Sequence, residues 1–391
     1  MPKKLLASII SFLLVLAMIP LMAAAKAPPD PAQPNIKIDA KAYILVDQTT
    51  GQVILEKAAD EKLPLASVVK VMSLVLICDA VESGKVSLDE KVNISKNAAG
   101  TVGTQAFLDA NAEYTVTDLI RTIIIASAND STVAMAEKIN GSEEIFVQAM
   151  NSRAQELGMA NTKFTDCSGL SSDQYSTARD MAAASRELCS RPTVFRWGTI
   201  FTDQIVHNGG RITELTNPNR MVRFYDGCDG LRTGSSPEAG YCISVTAKRG
   251  QQRLIAVILG APNSDARFEG ARKLLDYGFS SFSLVMSAKK GEIVKKGIPV
   301  NGGDIEKINA VAEKDAGMLV VKGSEKSVSK KITIPDALDA PIKKGQVIGE
   351  MVITVDGEEK ARVNLVSDCD VKTSEFWDGF VRICHQWSSG D

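Results

Sequence analysis

The sequence predicts an α/β (α+β) sandwich, followed by a small all-β domain and a short C-terminal amphipathic helix. A β-hairpin signal near the N-terminus precedes a run of helices, and three consecutive strands and a further helix close this first segment. Beyond Leu284 the helical pattern gives way to short β-type runs separated by Gly, Asp, Pro and Lys turns. Such an order favours one sheet that joins both ends of the first segment and carries helices on its faces.

The elements of the first segment, residues 37–284, follow from hydrophobic period and from turn and cap residues. The hairpin pairs Ala42–Asp47 with Gln52–Glu56 through a turn that contains Gly51. The expected elements after it are a helix over 68–81, irregular structure over 86–99, helices over 115–126 (capped by Thr115), 130–139, 142–157 and 176–189, strands over 230–233, 241–248 and 253–260, and a helix over 267–277.

The second segment, residues 285–371, predicts an all-β domain with no catalytic constellation. Its β-type runs are 292–294, 318–321, 331–334, 350–355 and 361–366. The tail, residues 372–391, places Phe376, Phe380, Ile383 and Trp387 at helical spacing. Two interpretations stay open for this stripe: a helix that packs on the β domain, or a helix that associates with a membrane surface.

The first 25 residues predict an export signal. Lys3 and Lys4 precede an apolar run over 5–22, and small residues end at Ala25, where we expect cleavage. An uncleaved membrane anchor is the alternative, since the run is close to spanning length. Residues 26–36 are rich in Pro and Ala and predict a linker. Either way the chain is expected at the outer face of the cytoplasmic membrane, or in the cell wall or periplasmic space.

Composition excludes several classes of function. The chain has 391 residues, 45% of them hydrophobic, and a formal charge of −2, so it lacks the basic excess of a nucleic-acid-binding protein. Its two histidines, His207 and His385, argue against a Ser-His-Asp triad and most zinc sites. His207 lies in a polar turn and is expected at the surface. Among seven cysteines, Cys228 and Cys242 flank one predicted hairpin and are candidates for a disulfide, with free thiols as the alternative.

Ser67 and Lys70 are the candidate nucleophile and base. They lie three residues apart at the start of an apolar helix, so their side chains share one face. A lysine amine can take the serine proton only when it is neutral, which requires its pKa to fall from about 10.4 to roughly 7–8 through burial or a nearby cation. The same spacing recurs at Ser287 and at Ser327 in lysine-rich surroundings, so the pair alone is not specific.

Two further motifs supply candidates for a proton relay, for substrate binding and for the cation near Lys70. In Ser127-Ala128-Asn129, Ser127 is a candidate proton relay beside Lys70 and the Asn129 amide a candidate for holding a substrate carbonyl; the alternative is that Asn129 or Asp130 merely caps the next helix.

The other motif, Arg232-Thr233-Gly234, falls on a predicted strand. Arg232 would bind a substrate carboxylate and lower the pKa of Lys70, and Thr233 would add a hydroxyl donor. Gly234 would let substrate lie against the strand. The N–H groups of Ser67 and Ser235 would form an oxyanion hole. The alternative is a plain strand running into a turn.

These motifs, in this order, resemble the serine D-alanyl-D-alanine carboxypeptidases, the low-molecular-weight penicillin-binding proteins of the peptidase S11 kind. The similarity extends to Ser168-Gly169-Leu170, Tyr175–Ala178, Ala239–Cys242 and Thr246–Arg249, and covers roughly residues 38–282. The β domain and the tail are similar to that family's second domain and membrane helix. The resemblance therefore implies a β-lactamase/penicillin-binding-protein-like sandwich.

The resemblance also implies the chemistry. Ser67 would attack the penultimate D-alanine carbonyl of a peptidoglycan stem pentapeptide, with Lys70 as general base and Ser127 as shuttle. Asn129, Thr233, Gly234 and Ser235 would line the substrate, and β-lactam antibiotics would act as covalent inhibitors. Arg232 would hold the substrate carboxylate, and Arg267 matches a family arginine that supports the same group. No metal or organic cofactor is implied.

Two departures from the family pattern leave alternatives open. Arg232 stands where the family usually has lysine, and arginine cannot give up a proton. Val68 and Val69 stand where it usually has hydroxyl residues. A cell-wall peptide-binding protein with impaired catalysis is therefore one alternative. A class A-like β-lactamase is another, although no glutamate-based deacylation loop is evident between the second and third motifs.

Overall fold

A computed structural model of the chain describes residues 36–374. The predicted signal peptide, and nearly all of the predicted linker and tail, lie outside the described residues. Among the described residues, no helix is both long and apolar enough to cross a membrane.

The predicted helices and strands of the first segment occur in the predicted order, and the sequence missed β4, α7, β5, β6 and α8, whose bounds follow. The helices are α1 Lys70–Glu82, α2 Lys96–Ala99, α3 Val116–Ala126, α4 Asn129–Asn140, α5 Glu143–Glu156, α6 Ala178–Cys189, α7 Pro192–Phe195, α8 Met221–Phe224 and α9 Ser264–Ser281. The strands are β1 Ala42–Asp47, β2 Val53–Lys57, β3 Lys91–Asn93, β4 Glu113–Thr115, β5 Thr202–Val206, β6 Ile212–Thr216, β7 Cys228–Ser236, β8 Gly240–Arg249 and β9 Gln252–Ala261.

Five of these strands form one antiparallel sheet in the order β2-β1-β9-β8-β7. The N-terminal hairpin and the later strands therefore share a sheet, which confirms the predicted joining of both ends of the segment. One face packs against α1 and the helices around it, and the other face packs against α8 and α9. Because β7 is an edge strand, its outer side is available to the site described below.

Helix α1 runs through the larger core, and every residue from Lys70 to Cys78 is buried. A helix that is apolar on all sides belongs in such a position. Thr115 caps α3 as predicted, since its Oγ1 accepts a hydrogen bond from the backbone N–H of Asp118 at 3.1 Å. The predicted irregular stretch over 86–99 is wrong in part, because it contains β3 and α2.

The second segment is all-β, as predicted. Its strands are β10 Phe282–Ala288, β11 Ile293–Asn301, β12 Lys307–Ala312, β13 Ala316–Val321, β14 Val328–Thr333, β15 Leu338–Asp339, β16 Val347–Val355 and β17 Glu358–Ser367. Six of them form a sheet in the order β14-β16-β17-β12-β11-β15, and β10 pairs with β13. The segment has an apolar core of its own around Met351, Ile353 and Leu365. The sequence missed β10, β12 and β15.

Candidate active site

Ser67 lies in a tight turn between β2 and α1. Residues Ala66–Val69 form a single 3₁₀ turn, and α1 begins directly after it at Lys70. Two glycines pack closely against this turn. A Cβ on Gly169 or on Gly234 would lie 2.7 Å from the Ser67 backbone nitrogen. No side chain fits at such a distance, so both positions require glycine. Ser67 itself remains partly exposed.

Lys70 is fully buried beneath Ser67. Its Nζ lies 3.1 Å from Ser67 Oγ, 2.6 Å from Asn129 Oδ1 and 2.5 Å from the carbonyl oxygen of Ser168. Burial, and after it the positive charge of Arg232, lower the pKa of Lys70 to about 7. The structure therefore contains the predicted contact between Ser67 and a lysine amine of lowered pKa, and an amine with a pKa near neutral pH is suited to accept a proton.

The Ser127 turn lies between α3 and α4. Ser127 ends α3 in the left-handed conformation (φ 63°), and its buried Oγ makes no hydrogen bond. Asn129 is the first residue of α4, and no side chain caps that helix, so the capping alternative is wrong. Its Oδ1 accepts from Lys70 and its Nδ2 donates to the Val102 carbonyl at 2.7 Å. One Nδ2 hydrogen remains for a substrate carbonyl.

Strand β7 carries the third motif. Arg232 is only 1% exposed, and its Nη2 donates to the carbonyl of Ile124 in the last turn of α3 at 2.9 Å. A cation is favourable at this end of a helix. Its Nε and Nη1 have no hydrogen-bond partner, and burial lowers its pKa to about 10. Arg232 is thus positioned to act on Lys70, but its guanidinium does not face solvent. Thr233 is nearly buried, and Ser235 is exposed.

Comparisons with known proteins identify the family to which the chain belongs. The model of the D-alanyl-D-alanine carboxypeptidase family matches residues 25–263, and the model of the C-terminal domain of penicillin-binding protein 5 matches residues 282–373. The chain belongs to the D-alanyl-D-alanine carboxypeptidase family. The predicted resemblance, fold class and enzyme class, a serine-type carboxypeptidase, are confirmed.

The family relatives are similar along most of their length. The chain is 37% identical over 352 residues to the D-alanyl-D-alanine carboxypeptidase DacF of Bacillus subtilis, with 90% of each chain covered. It is 32% identical over 370 residues to DacC of Escherichia coli, again with 90% of each covered. The solved structure of penicillin-binding protein 5 from Haemophilus influenzae superposes with a TM-score of 0.69 at 31% identity, covering 88% of this chain and 99% of that one.

Arg267, the second candidate carboxylate ligand of this family member, supports the strand edge. Its Nη1 donates to the carbonyls of Gly234 at 3.1 Å and Cys242 at 3.3 Å, and its guanidinium stacks on Phe268. Burial lowers its pKa to about 10. Arg267 therefore ties β7 to β8 beside Ser67.

Gly234 has a packing role that the sequence did not predict. The sequence suggested that Gly234 leaves room for substrate. The structure shows that the group closest to it is the backbone of the Ser67 turn. The reason for glycine is therefore the packing of the nucleophile on β7.

The sequence missed Asp166, which shapes the turn before Leu170. Its carboxylate accepts hydrogen bonds from the backbone N–H groups of Ser168, Gly169 and Ser171. This turn directs the Ser168 carbonyl at Lys70. An aspartate two residues before a Ser-Gly pair is typical of such turns, and that spacing was the available signal.

His207 is buried, so the prediction of a surface histidine is wrong. Its Nδ1 lies 2.7 Å from the Tyr114 hydroxyl and its Nε2 lies 2.8 Å from Thr213 Oγ1. Burial, together with the charge of Arg211, lowers the pKa of His207. The polar turn around it is exposed, but β4 and β6 enclose the ring itself.

The candidate disulfide is absent. Cys228 and Cys242 are free, buried thiols. Their strands place them apart, because Cys228 pairs with Ala247 and Cys242 pairs with Gly234. Cys384 lies outside the described residues.

Proposed function

We propose that Ser67 is the nucleophile with which this carboxypeptidase removes the terminal D-alanine from peptidoglycan stem pentapeptides. The observation that carries the proposal is the contact of Ser67 Oγ with a fully buried lysine amine whose pKa is about 7. A serine paired with a base of matched pKa is the arrangement that acyl transfer through a covalent intermediate requires.

The proposed reaction has two halves. Ser67 Oγ attacks the penultimate D-alanine carbonyl carbon while its proton passes to Lys70 Nζ. The C–N bond then breaks, D-alanine leaves as its amine takes up a proton, and an ester remains on Ser67. Water, losing a proton to Lys70, attacks the ester carbonyl carbon, the bond from that carbon to Ser67 Oγ breaks, Oγ recovers a proton, and the shortened peptide leaves with a new terminal carboxyl group. The N–H groups of Ser67 and Ser235 would stabilise the negative oxygen formed in each half.

Arg232 and Ser127 take supporting roles in the proposal. Burial is the main cause of the lowered pKa of Lys70, and Arg232 adds to it, because one positive charge disfavours another in a buried site. Arginine does not give up its proton, so the leaving amine would receive its proton through Ser127, whose buried hydroxyl has no partner. The substrate carboxylate would meet Thr233 and Arg267. Arg232, whose buried Nε and Nη1 have no hydrogen-bond partner, would join them if substrate reached its guanidinium.

The structure favours this activity over that of a class A-like β-lactamase. Such an enzyme needs a free glutamate to activate the deacylating water. The acids around the Ser168 turn are already engaged, since Asp166 accepts from backbone N–H groups and Glu143 Oε1 accepts from the Cys167 N–H. The contact that Lys70 makes there is with a carbonyl oxygen.

We assign residues 37–284 to the catalytic domain and residues 285–371 to the β domain, and we place the reaction outside the cytoplasm. The apolar N-terminal run supports export, and β-lactams would acylate the same serine. The stripe in residues 372–391 would bring the enzyme to the membrane surface.

Release of D-alanine from diacetyl-lysyl-D-alanyl-D-alanine tests the proposal. We expect the wild-type chain to release D-alanine and Ser67→Ala to release none. Peptide binding without release by the wild type would instead support a binding protein with impaired catalysis. Hydrolysis of benzylpenicillin much faster than of the peptide would support a β-lactamase.

A further inference from the structure

Phe107 has an unusual conformation and an unusual exposure. Its ring is 56% exposed, and its backbone adopts φ 58°. Bulky side chains rarely occupy this left-handed region, and strain of this kind persists only where the surroundings impose it. The backbone strain disfavours folding, and a ring that stays half exposed contributes little burial to offset it, so the fold alone gives no reason for phenylalanine here.

The residues around Phe107 hold it in this conformation. The carboxylate of Asp130 accepts hydrogen bonds from the N–H groups of Ala106 and Leu108, each at 3.0 Å. The carbonyl of Phe107 accepts from Arg211 Nη2 at 2.7 Å. The backbone is therefore fixed before, at and after Phe107, by a helix on one side and by the β5–β6 hairpin on the other.

The loop that carries Phe107 covers the active-site asparagine. The Asn129 backbone N–H donates to the Thr104 carbonyl at 2.7 Å, and its side chain donates to Val102. A Cβ on Gly103 would lie 2.8 Å from Asn129 Nδ2 and 3.5 Å from Leu170. Asp130, which holds the backbone on both sides of Phe107, directly follows Asn129, so the exposed ring lies on the loop that borders the active-site asparagine; we call this loop the rim of the site.

The rim position indicates which part of a substrate would reach Phe107. Arg267, the candidate ligand of the terminal carboxylate, lies on the sheet side and contacts Gly234. The Phe107 loop contacts Asn129, which begins α4 on the helical side of the site. A peptide whose C-terminal end faces the sheet side would lead its preceding residues toward Asn129 and this loop.

We propose that Phe107 is a specificity-determining residue that packs against the aliphatic side chains of the stem peptide before the D-alanyl-D-alanine end. An exposed aromatic ring on a rigid backbone buries apolar surface on binding with little loss of conformational freedom. This assignment rests on the proposed function, and it names the region of the substrate that the loop recognises.

A series of substrates of increasing length tests the proposal in the full chain. The series is N-acetyl-D-alanyl-D-alanine, diacetyl-lysyl-D-alanyl-D-alanine, the free pentapeptide and the disaccharide pentapeptide, with acylation by 6-aminopenicillanic acid as a probe that has no acyl side chain. For Phe107→Ala, we expect kcat/KM to fall about tenfold on the tripeptide or the pentapeptide. We expect a change of less than about twofold on the acetyl dipeptide and on acylation.

Two further variants separate ring contact from loop geometry. Phe107→Gly also removes the ring but tolerates φ 58°, so it should melt at a higher temperature than Phe107→Ala and show the same loss on long substrates. Ile212→Ala removes a similarly exposed side chain on the hairpin, next to Arg211, and should leave every rate unchanged.

Three outcomes would overturn the proposal: equal losses on all substrates, no loss on any, or a loss that appears only when the disaccharide is attached. A wild-type chain that is inactive on the acetyl dipeptide and resists acylation would instead refute the proposed function.

Discussion

Gly234 lies against the Ser67 turn so closely that a Cβ on it would approach the Ser67 nitrogen to 2.7 Å, the Leu65 carbonyl oxygen to 2.9 Å and the Val68 nitrogen to 3.0 Å. All three atoms belong to the backbone, so no side-chain movement can relieve the contact. The strand that carries Arg232 can therefore pack directly against the turn that carries the nucleophile only because residue 234 has no Cβ.

This contact makes Gly234→Ala a test of nucleophile placement. We expect the rate of acylation by benzylpenicillin to fall roughly 100-fold, because a displacement of about 1 Å at a reacting group has that effect. Gly84→Ala is the control for backbone strain without a clash, since its φ of 73° disfavours alanine while a Cβ there meets nothing within 4 Å, and it should leave acylation unchanged. Wild-type acylation in Gly234→Ala would show that the turn and the strand move independently.

The pH dependence of acylation reports the state of Lys70. The base acts only when neutral, and the pKa of Lys70 is lowered to about 7. We expect the rate to rise about tenfold per pH unit below pH 7 and to level off above it. The Lys70→Ala variant should be acylated very slowly, and its rate should not rise with pH below pH 7. A wild-type rate that is constant from pH 5 to pH 8 would contradict the assignment of Lys70 as base.

The charge of Arg232 should set the pH at which the acylation rate levels off. Arg232→Gln removes the positive charge that disfavours the charged form of Lys70, so the pKa of Lys70 should rise and the midpoint should move upward, by about 1 pH unit or less. Arg232→Lys keeps the charge and should keep the midpoint. An unmoved midpoint in Arg232→Gln would mean that burial alone lowers the pKa of Lys70.

His207 should make the free energy of unfolding decrease at mildly acidic pH. Its pKa is lowered in the folded state, so below about pH 6.5 the unfolded chain binds more protons than the folded one, and the free energy of unfolding decreases as pH falls. We expect the melting temperature of the wild type to drop more between pH 7 and pH 5 than that of His207→Gln. Parallel drops in both proteins would show that His207 stays protonated on folding.

Local patterns in the sequence predicted much of the fold and the core of the site. The Ser67–Lys70 spacing places both groups on one face of a turn, and the cap at Thr115 and the strand runs are local signals of the same kind. These features do not depend on which distant segment packs nearby, and the structure confirms them.

The errors have the opposite origin. His207 lies in a polar turn, yet Tyr114 and Thr213 from other elements enclose its ring. Gly234 is explained by a turn more than 150 residues earlier in the chain, and Arg232 by the carbonyl end of α3. Contacts between segments far apart in sequence decided each of these cases, and hydrophobic periodicity within one segment cannot predict such contacts.

Mass spectrometry after benzylpenicillin treatment tests the central claim most directly. We predict one covalent adduct, on the proteolytic peptide that carries Ser67, absent from Ser67→Ala and nearly absent from Lys70→Ala. An adduct on another residue, or one that persists in Ser67→Ala, would contradict the assignment of Ser67 as the nucleophile.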